Sequence, residues 1–541
     1  MALALTKAKP CAIRYYCYSM GTTNYQQHTK KLHPTPLPVA SSTLRCYDIF
    51  MNTLLGLLNA IGIEETHLAQ TQVIKKICYN SKECVKASVF FAFPGLHTQG
   101  DLYIDDAIAK GAVCIFSTHS VSKKQEGILF YVTQSPRSVF SRMCAAFYSW
   151  PSRSLEVIGI TGTDGKSTTG DYLYQMLQEK GCKVGLLGTV SMDDGEGKRP
   201  SPYRQSTPEA DQLQAFLYRC KMNNLTHVIL ECTSHALSPE HDRLATIEFA
   251  LALVTTISSE HLEFHKSQEA YVAAKCNLVR ALQPGGSFLT TRQNSYRAMF
   301  LAELPPFSFS YLLEKTLPFT TTTTDNDTID IHYKQKKIST ALALPCLASN
   351  AMLALLACSL VLQEEAEELL PLLENLTPVT GRMIPVKNSL SLRIIIDFAH
   401  TSDAYEQLFT HMKKTAGGGK IIAVFGSAGE RDTTKRSAMG RIASHHADTI
   451  ILTEEDPRNE PNSVIFKDIR SLMENSSCLI EEIEDRTEAI QRAFDISEAR
   501  DTLLFLGKGH ETTIEGIAGK RPWNEEETVC TLLQMKEREN V

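Results

Sequence analysis

The sequence predicts an α/β protein with three domains, and three observations carry this prediction. The chain has 541 residues, which is too many for one ordinary hydrophobic core. Short apolar runs alternate with helical patterns, as in parallel sheets covered by helices. Many of these runs end in a glycine-rich or polar cluster, which is where doubly wound sheets bind ligands. We therefore expect a small N-terminal α/β domain, a central doubly wound sheet and a C-terminal Rossmann-like sheet.

The domain limits follow from the same patterns. We place the N-terminal domain at residues 51–150, the central domain at 151–379 and the C-terminal domain at 380–541. Residues 1–50 are rich in lysine and arginine, with Asp48 as their single acid, and they contain no apolar core of a secretory signal. They are either an organellar leader or residues ahead of a true start at Met51, and we favour the second interpretation.

Composition restricts the class of protein. Hydrophobic residues make up 43% of the chain and charged residues 21%, which is ordinary for a soluble globular protein. The net charge of −6 gives no basic field for nucleic acid. No apolar run reaches the roughly 18 residues that span a bilayer. The 15 cysteines are scattered without metal-ligand spacing, as free thiols in a reducing cytosol would be. We therefore expect a cytoplasmic monomer with neither nucleic acid nor membrane as a partner.

A glycine-rich segment at the start of the central domain predicts a phosphate site. The segment Gly159-Ile-Thr-Gly-Thr-Asp-Gly-Lys-Ser-Thr-Thr169 follows an apolar run and opens an amphipathic helix. Backbone N–H groups, a helix N-terminus and Lys166 then surround one point, which suits a polyphosphate, and Ser167 or Thr168 can offer a hydroxyl to Mg²⁺. Five residues separate the first glycine from Gly165, whereas the standard P-loop has four.

Polar residues at other strand ends should face the same crevice. Glu231 ends the apolar run that begins at Val228, and the segment from Ser258 to His265 follows another such run. Magnesium usually keeps few protein ligands, typically carboxylates, so Glu231 is a candidate ligand. Taken alone, it is equally well explained as a solvated strand end.

Several ordered segments resemble those of the Mur ligase family. The phosphate loop, with its additional residue, is similar to that of Mur ligases and folylpolyglutamate synthases. The other similar segments are Ser258-Ser-Glu-His-Leu-Glu-Phe-His265, Tyr271-Val-Ala-Ala-Lys275, Asp397-Phe-Ala-His-Thr-Ser-Asp403, Asp456-Pro-Arg458 and Gly507-Lys-Gly-His-Glu511. The last two are typical of the branch that adds a diamino acid, and the resemblance covers roughly residues 52–535.

The resemblance implies an ATP-dependent amide-bond ligase of peptidoglycan precursor synthesis. The D-glutamate carboxylate of UDP-N-acetylmuramoyl-L-alanyl-D-glutamate takes the γ-phosphoryl group, and the amine of a diamino acid attacks the acyl phosphate. Two anions have to meet, so catalysis consists mainly of charge neutralisation and positioning. The alternatives are another ligase of this fold, such as a folylpolyglutamate synthase, and a non-catalytic scaffold that kept the fold.

The resemblance also implies roles for single residues in the ATP and metal sites. Lys166, His261 and Lys275 would be catalytic. Lys275 matches a lysine that is carbamylated to N6-carboxylysine in relatives, although its helical pattern alone suggests a solvated side chain. The metal ligands would be Ser167, Glu231, His261 and the carbamate on Lys275. The ATP site would be formed by Gly162, Thr163, Asp164, Gly165, Lys166, Ser167, Thr168, Asn350, Arg382 and Asp397.

Two further sets of residues match the substrate sites of the family. The UDP-substrate set is Ser81, Ser206, Thr207, Thr233 and Arg243, and the amino-acid set is Arg431, Asp456, Arg458, Gly507 and Glu511. Arg458 could pair bidentately with the second carboxylate of meso-diaminopimelate. Asp456 stands where relatives that add this amino acid have Asn, and its charge favours a terminal ammonium, as in lysine or ornithine. The two signals disagree, and we favour meso-diaminopimelate because the guanidinium has no obvious use with lysine.

Overall fold

Three mainly parallel sheets follow one another along the chain in a computed structural model of the protein. The structure describes residues 52–65, 72–95, 99–119, 125–324, 328–473 and 477–539, which belong to one unit spanning Asp48–Val541. The expectations about residues 1–50 and a start at Met51 lie outside the described residues. The three sheets confirm the predicted α/β class. The domain limits themselves stay a prediction.

The first sheet is small and entirely parallel, in the order β1–β2–β3–β4. Its centre is aromatic, since the rings of Phe91 and Phe116 stack with centroids 4.6 Å apart. Every residue of β2 is buried, as the uninterrupted apolar run predicted. The strands are β1 Lys76–Cys78, β2 Ser88–Phe91, β3 Ala112–Ser117 and β4 Leu129–Val132, and the helices are α1 Leu54–Ala60, α2 Ile104–Ala109 and α3 Pro136–Phe147, with 3-10 turns at Ser81–Glu83 and Gly100–Tyr103.

The second sheet has the order β12–β11–β10–β5–β9–β6–β7–β8, with β7 and β8 antiparallel. Strand β5 lies between β10 and β9, so its end Thr161 pairs with Val254, and Ile160 pairs with Glu231. The phosphate loop therefore begins between two other strand ends. The strands are β5 Glu156–Thr161, β6 Val184–Leu187, β7 Ser191–Asp193, β8 Arg199–Pro200, β9 His227–Glu231, β10 Phe249–Val254, β11 Leu282–Thr290 and β12 Phe309–Leu312, after a 3-10 turn at Pro151–Ser154.

Helices cover this sheet, and a small antiparallel sheet follows it. The helices are α4 Lys166–Glu179, α5 Ala210–Met222, α6 Ser234–Leu237, α7 Leu262–His265, α8 Gln268–Arg280, α9 Arg297–Ala302, α10 Leu313–Thr316, α11 Pro345–Leu362 and α12 Ala366–Leu369, with a 3-10 turn at Leu370–Leu373. The antiparallel sheet is β13 Thr320–Thr323, β14 Ile329–Tyr333 and β15 Lys336–Ser339.

Helix α11 corrects the expectation that no apolar segment is long enough to span a bilayer. It is 18 residues long with a mean hydropathy of 1.9, so the described residues do contain a segment that could cross a membrane by length and composition alone. About half of it (50%) is buried inside the protein, where it packs along α4 in the main hydrophobic core. This is the environment of a core helix, which needs the same composition as a membrane span.

The third sheet has the order β16–β17–β21–β18–β19–β20, with only β16 antiparallel. Strand β21 is late in the chain but central in the sheet, between β17 and β18. The segment that follows it therefore lies among the ends of earlier strands. The elements are β16 Ile384–Val386, β17 Arg393–Asp397, β18 Ile421–Phe425, β19 Thr449–Leu452, β20 Leu479–Glu482, β21 Thr502–Leu506, the hairpin β22 Thr513–Gly516 and β23 Gly519–Pro522, and the helices α13 Ser402–Thr415, α14 Thr434–His446, α15 Asn462–Arg470, α16 Arg486–Ile496 and α17 Glu525–Glu539.

Candidate active site

The phosphate loop connects β5 to α4 and needs glycine at two positions. Gly162 has φ +148° and Gly165 has φ +87°, a region that side chains disfavour. A Cβ on Gly162 would overlap the Thr255 hydroxyl, and one on Gly165 would lie 2.8 Å from Oδ1 of Asn350. The loop is therefore packed closely against its neighbours on two sides.

Hydrogen bonds from neighbouring strand ends hold this loop in place. Thr163 donates its N–H to the Thr256 carbonyl at 2.7 Å, and its hydroxyl accepts the N–H of Ser258 at 2.9 Å. The carboxylate of Asp164 accepts a 2.8 Å hydrogen bond from Thr401, which lies in the C-terminal part of the chain. The loop thus contacts both the second and the third sheet regions.

Lys166 lies at the N-terminus of α4 with its ammonium group over the loop. Its Nζ donates to the carbonyl groups of Gly162 at 3.0 Å and Thr163 at 2.7 Å. Ser167 and Thr168 follow it. All three residues line one cleft, which we call the main cleft. One flexible cation, two hydroxyls and a helix N-terminus therefore face one space, as a polyphosphate requires.

A second, smaller cavity of about 100 Å³ adjoins the loop. Asn350, Arg382 and Asp397 line it together with Gly165, so the structure brings together the residues predicted near the nucleotide. The Asp397 carboxylate accepts the N–H groups of Met383 and Ala399 at 2.8 and 2.7 Å. Burial raises the pKa of this carboxyl, although nearby Arg382 opposes the shift.

Glu231 is a buried carboxylate behind the wall of the main cleft. Its Oε1 accepts the Thr189 N–H at 2.9 Å, and its Oε2 lies 2.9 Å from the Thr189 hydroxyl, which is 2.6 Å from Ser206 Oγ. Thr189, Ser206 and Ser167 all line the cleft. Carboxylate and hydroxyl oxygens are donors that suit Mg²⁺, so these residues fit that ion. In the described part of the chain, no three His, Cys, Asp or Glu side chains form a ready-made metal site.

His261 also lines the cleft, among other titratable groups. Its Nδ1 is 3.5 Å from Glu263, and its Nε2 is 3.7 Å from Glu260. Burial opposes ionisation of Glu260, but the hydrogen bond with His400 and the charge of His261 hold the pKa of this carboxyl well below its usual range. His261 has φ +58° and its ring lies 4.7 Å from that of His235.

Lys275 is buried rather than solvated, contrary to what its helical pattern alone suggests. The side chain is 2% exposed, and Nζ donates to the Gly162 carbonyl at 2.7 Å. The ammonium also lies over the ring of Tyr271, 4.5 Å from its centroid. Burial, assisted by the charge of Lys166, lowers the pKa of Lys275 well below its usual value. Its burial next to the phosphate loop distinguishes Lys275 from a solvated lysine on a helix surface.

The residues predicted for the UDP-substrate lie in two places. Thr207 connects one group: its hydroxyl donates to the Glu231 carbonyl at 2.7 Å and accepts the N–H of Thr233 at 3.0 Å. Arg243 donates to the Thr207 carbonyl at 2.8 Å and is buried. Ser206 and Thr233 line the main cleft, whereas Ser81 lies on a 3-10 turn of the first sheet region, outside the cleft lining.

Most residues predicted for the amino acid come together in the same cleft as Lys166. This cleft has a volume of about 290 Å³, and its walls combine the phosphate loop with Arg431, Asp456, Arg458 and Glu511. Gly507 lies behind them, and a Cβ there would be 2.6 Å from a carboxylate oxygen of Glu455. The structure therefore joins the predicted phosphate and amino-acid sites in one space.

Lys508 is a residue of this site that the sequence reasoning missed. It is fully buried, and its Nζ donates to Asp456 at 2.9 Å, Glu511 at 2.5 Å and the Thr513 carbonyl at 2.8 Å. The negative charge of Asp456, which the sequence suggested for a substrate ammonium, is thus already balanced within the chain. The Gly507-Lys-Gly-His-Glu511 motif was the available signal, but it gave no partner for the lysine.

Three further residues of the site also escaped the sequence reasoning. Thr189 binds Glu231, and Glu455 lines the cleft with its Oε2 buried and without a hydrogen-bond partner among the described residues. Glu515 lies 3.4 Å from the Arg458 guanidinium. Glu455 stands next to a recognised motif, whereas nothing local in the sequence distinguishes Thr189 or Glu515. Their importance depends on contacts with distant residues.

Comparisons with known proteins agree with this geometry. The model of the Mur ligase middle domain matches residues 160–358, and that of the Mur ligase glutamate ligase domain matches residues 381–509. The chain is 35% identical to a UDP-N-acetylmuramyl-tripeptide synthetase of Borreliella burgdorferi, over 84% of this chain and 92% of that protein. It is 30% identical to a UDP-N-acetylmuramoyl-L-alanyl-D-glutamate--2,6-diaminopimelate ligase of Caldanaerobacter subterraneus, over 86% of this chain and 96% of that one.

A solved structure shows the same fold. It is a UDP-N-acetylmuramoyl-L-alanyl-D-glutamate--2,6-diaminopimelate ligase, with a TM-score of 0.59 at 23% identity, over 88% of this chain and 99% of the other. The sequence matches confirm the family expected from the ordered motifs. The chain therefore belongs to the Mur ligase family of ATP-dependent, amide-bond-forming ligases.

Proposed function

We propose that this protein adds a diamino acid to the D-glutamate of UDP-N-acetylmuramoyl-L-alanyl-D-glutamate, through an acyl phosphate, in peptidoglycan synthesis. The names of the relatives support this substrate. A cytoplasmic monomer that supplies cell-wall precursors, and so serves cell shape and division, accords with the proposal.

One observation carries it: the phosphate loop and the amino-acid residues line the same cleft of about 290 Å³. Lys166, Arg458 and Glu511 all line this cleft. A substrate carboxylate between them could take a phosphoryl group from one side and meet an amine from the other. A cleft shared in this way suits a two-step transfer because the reactive intermediate need not leave it.

The chemistry requires neutralisation of charge. A carboxylate oxygen attacks the γ-phosphorus and ADP leaves. The unprotonated amine nitrogen then attacks the acyl carbon, phosphate leaves, and the nitrogen releases one proton to water. Lys166 and the N–H groups at the start of α4 stabilise the phosphate oxygens as they approach the carboxylate. Glu231, Ser167 and His261 are the residues that would hold Mg²⁺, which would supply positive charge to the phosphate oxygens when bound.

Lys275 is proposed to carry a carbamate formed from CO2. A bare ammonium would repel Mg²⁺, whereas a carbamate offers oxygen ligands. Its burial next to the loop carbonyl of Gly162 supports the proposal. Lys275→Ala should abolish ligation, and added bicarbonate should not restore Lys275→Arg. Full activity of either variant would refute the carbamate.

The incoming amino acid is proposed to be a diamino acid, with meso-diaminopimelate first, because Arg458 lines the cleft and can pair with a second carboxylate. A phosphate-release assay with meso-diaminopimelate, lysine and ornithine against the UDP-muramoyl dipeptide tests this choice. A folate acceptor in the same assay tests the folylpolyglutamate alternative. Release with folate alone would overturn the proposal, and no release with any acceptor would favour a scaffold. Lys166→Met serves as the inactive control.

A further inference from the structure

The guanidinium of Arg458 is already paired within the chain. Its Nη1 donates to the Gly429 carbonyl, its Nε lies 3.4 Å from Glu515 Oε2, and its Nη2 lies 4.0 Å from Asp456 Oδ2. Arg458 itself has φ +54°, an uncommon conformation for a residue with a side chain. The side chain of Arg458 therefore lies among carboxylates of the protein itself.

The two carboxylates near Arg458 are not equivalent. Asp456 accepts from the buried ammonium of Lys508 at 2.9 Å, so its charge is largely committed. Glu515 Oε2 lies 3.4 Å from both Arg458 Nε and Arg204 Nη2, but the side chain of Arg204 is 71% exposed, so water screens its charge more than that of Arg458, which is 15% exposed. Glu515 is thus the carboxylate that most directly neutralises Arg458.

The side chain of Glu515 can change without loss of its backbone contacts. Its N–H donates to Asp456 Oδ1 at 3.0 Å, and its carbonyl accepts the N–H of Arg458 at 2.9 Å. Both bonds involve main-chain atoms of the β22–β23 hairpin. The side chain of Glu515 is 24% exposed, and it lies against Arg458, which lines the cleft. A glutamine here would keep the hairpin and remove only the charge.

We propose that Glu515 is a specificity-determining residue, which occupies Arg458 where the second carboxylate of an incoming diamino acid would bind. This rests on the proposed function. An acceptor with two carboxylates, such as meso-diaminopimelate, has to displace Glu515 from the guanidinium. An acceptor with one carboxylate, such as lysine or ornithine, leaves Glu515 in place, so Arg458 keeps a partner. Glu515 therefore reduces the difference in kcat/KM between acceptors with two carboxylates and acceptors with one, and the enzyme uses both classes.

The test is the ratio of kcat/KM for meso-diaminopimelate to kcat/KM for lysine, measured by phosphate release. Glu515→Gln should raise this ratio by about tenfold, mainly through KM, because the second carboxylate of the acceptor no longer has to displace a charged partner from Arg458 at this partly exposed site. The KM for ATP should stay unchanged. Glu481→Gln weakens an ion pair with Arg492, and neither residue lines the cleft, so it should leave the ratio unaltered.

Two more variants make the outcome decisive. In an Arg458→Met background, Glu515→Gln should no longer affect the ratio, since its partner is gone. Glu515→Asp keeps the charge but shortens the side chain, and it should raise the ratio by a smaller factor. An unchanged or lower ratio in both Glu515 variants overturns the inference while ligation itself continues. Absence of ligation in the unaltered protein with every acceptor would instead refute the proposed function.

Discussion

Replacement of Lys508 by methionine is the sharpest test of how the amino-acid site is held together. The ammonium is fully buried and donates to Asp456, Glu511 and the Thr513 carbonyl at 2.9, 2.5 and 2.8 Å. Burial raises the pKa of Glu511, and Lys508 opposes that shift, so the carboxylate depends on this lysine for its charge. Methionine has a similar length but removes the ammonium group that Asp456 and Glu511 share.

The expected cost follows from the exposure of these groups. Removal of one partner from a buried ion pair costs about 3–5 kcal/mol. The side chains of Asp456 and Glu511 are 15% and 33% exposed, so water solvates part of the charge that is left. We therefore expect a loss of about 2–4 kcal/mol in the free energy of unfolding. At about 2–4 °C per kcal/mol, the melting temperature of the C-terminal region should fall by about 5–15 °C.

Calorimetry and steady-state kinetics check this prediction together. The KM for the diamino acid should rise strongly while the KM for ATP changes little, because Lys508 contacts only the amino-acid side of the cleft. Lys420→Met is the matched control, since that ammonium is 56% exposed and 3.8 Å from Glu498. Glu511→Gln added to Lys508→Met should recover part of the stability. A variant that melts within 2 °C of the parent, with unchanged KM values, would refute the reasoning.

Three other predictions concern the loop and the stability of the fold. Gly162 has φ +148°, and the Cβ of Gly162→Ala would overlap the Thr255 hydroxyl, so this variant should lower kcat/KM for ATP at least tenfold in kinetic assays. Gly197→Ala, which has open space around the new Cβ, should leave kcat/KM unchanged. Thr401→Val loses the 2.8 Å hydrogen bond to Asp164 in the phosphate loop and the N-cap hydrogen bond from the N–H of Ala404. The KM for ATP should therefore rise and the free energy of unfolding should fall by about 1 kcal/mol, whereas Thr401→Ser retains both bonds. Burial raises the pKa of Asp211 to about 6. The folded state thus holds this proton more tightly, and stability falls as the pH rises from about 4 to about 6. Asp211→Asn should melt roughly 2–6 °C above the parent at pH 8 but level with it at pH 4, and equal melting temperatures at both would contradict the assignment.

The sequence by itself determined the fold class, the family and the position of the phosphate loop. Strands such as Thr449–Leu452 and Thr502–Leu506 occur where the apolar runs predicted them. These features are local, because the period of apolar residues and the glycines of a tight loop act over a few positions. The carboxyl ends of parallel strands share one edge, so the meeting of Lys166 with the C-terminal motifs could also be expected.

Only the tertiary structure decided which charges pair within the cleft. Lys508 and Asp456 are 52 positions apart, yet their side chains are 2.9 Å apart because β19 and β21 both end at this site. The same arrangement brings Glu515 to Arg458. Elsewhere, the packing of α8 against the phosphate loop buries Lys275, whose pattern suggested a solvated side chain. The burial and partners of a charge depend on residues far away in the chain. A charged residue looks the same in the sequence whether it faces water, substrate or another charge.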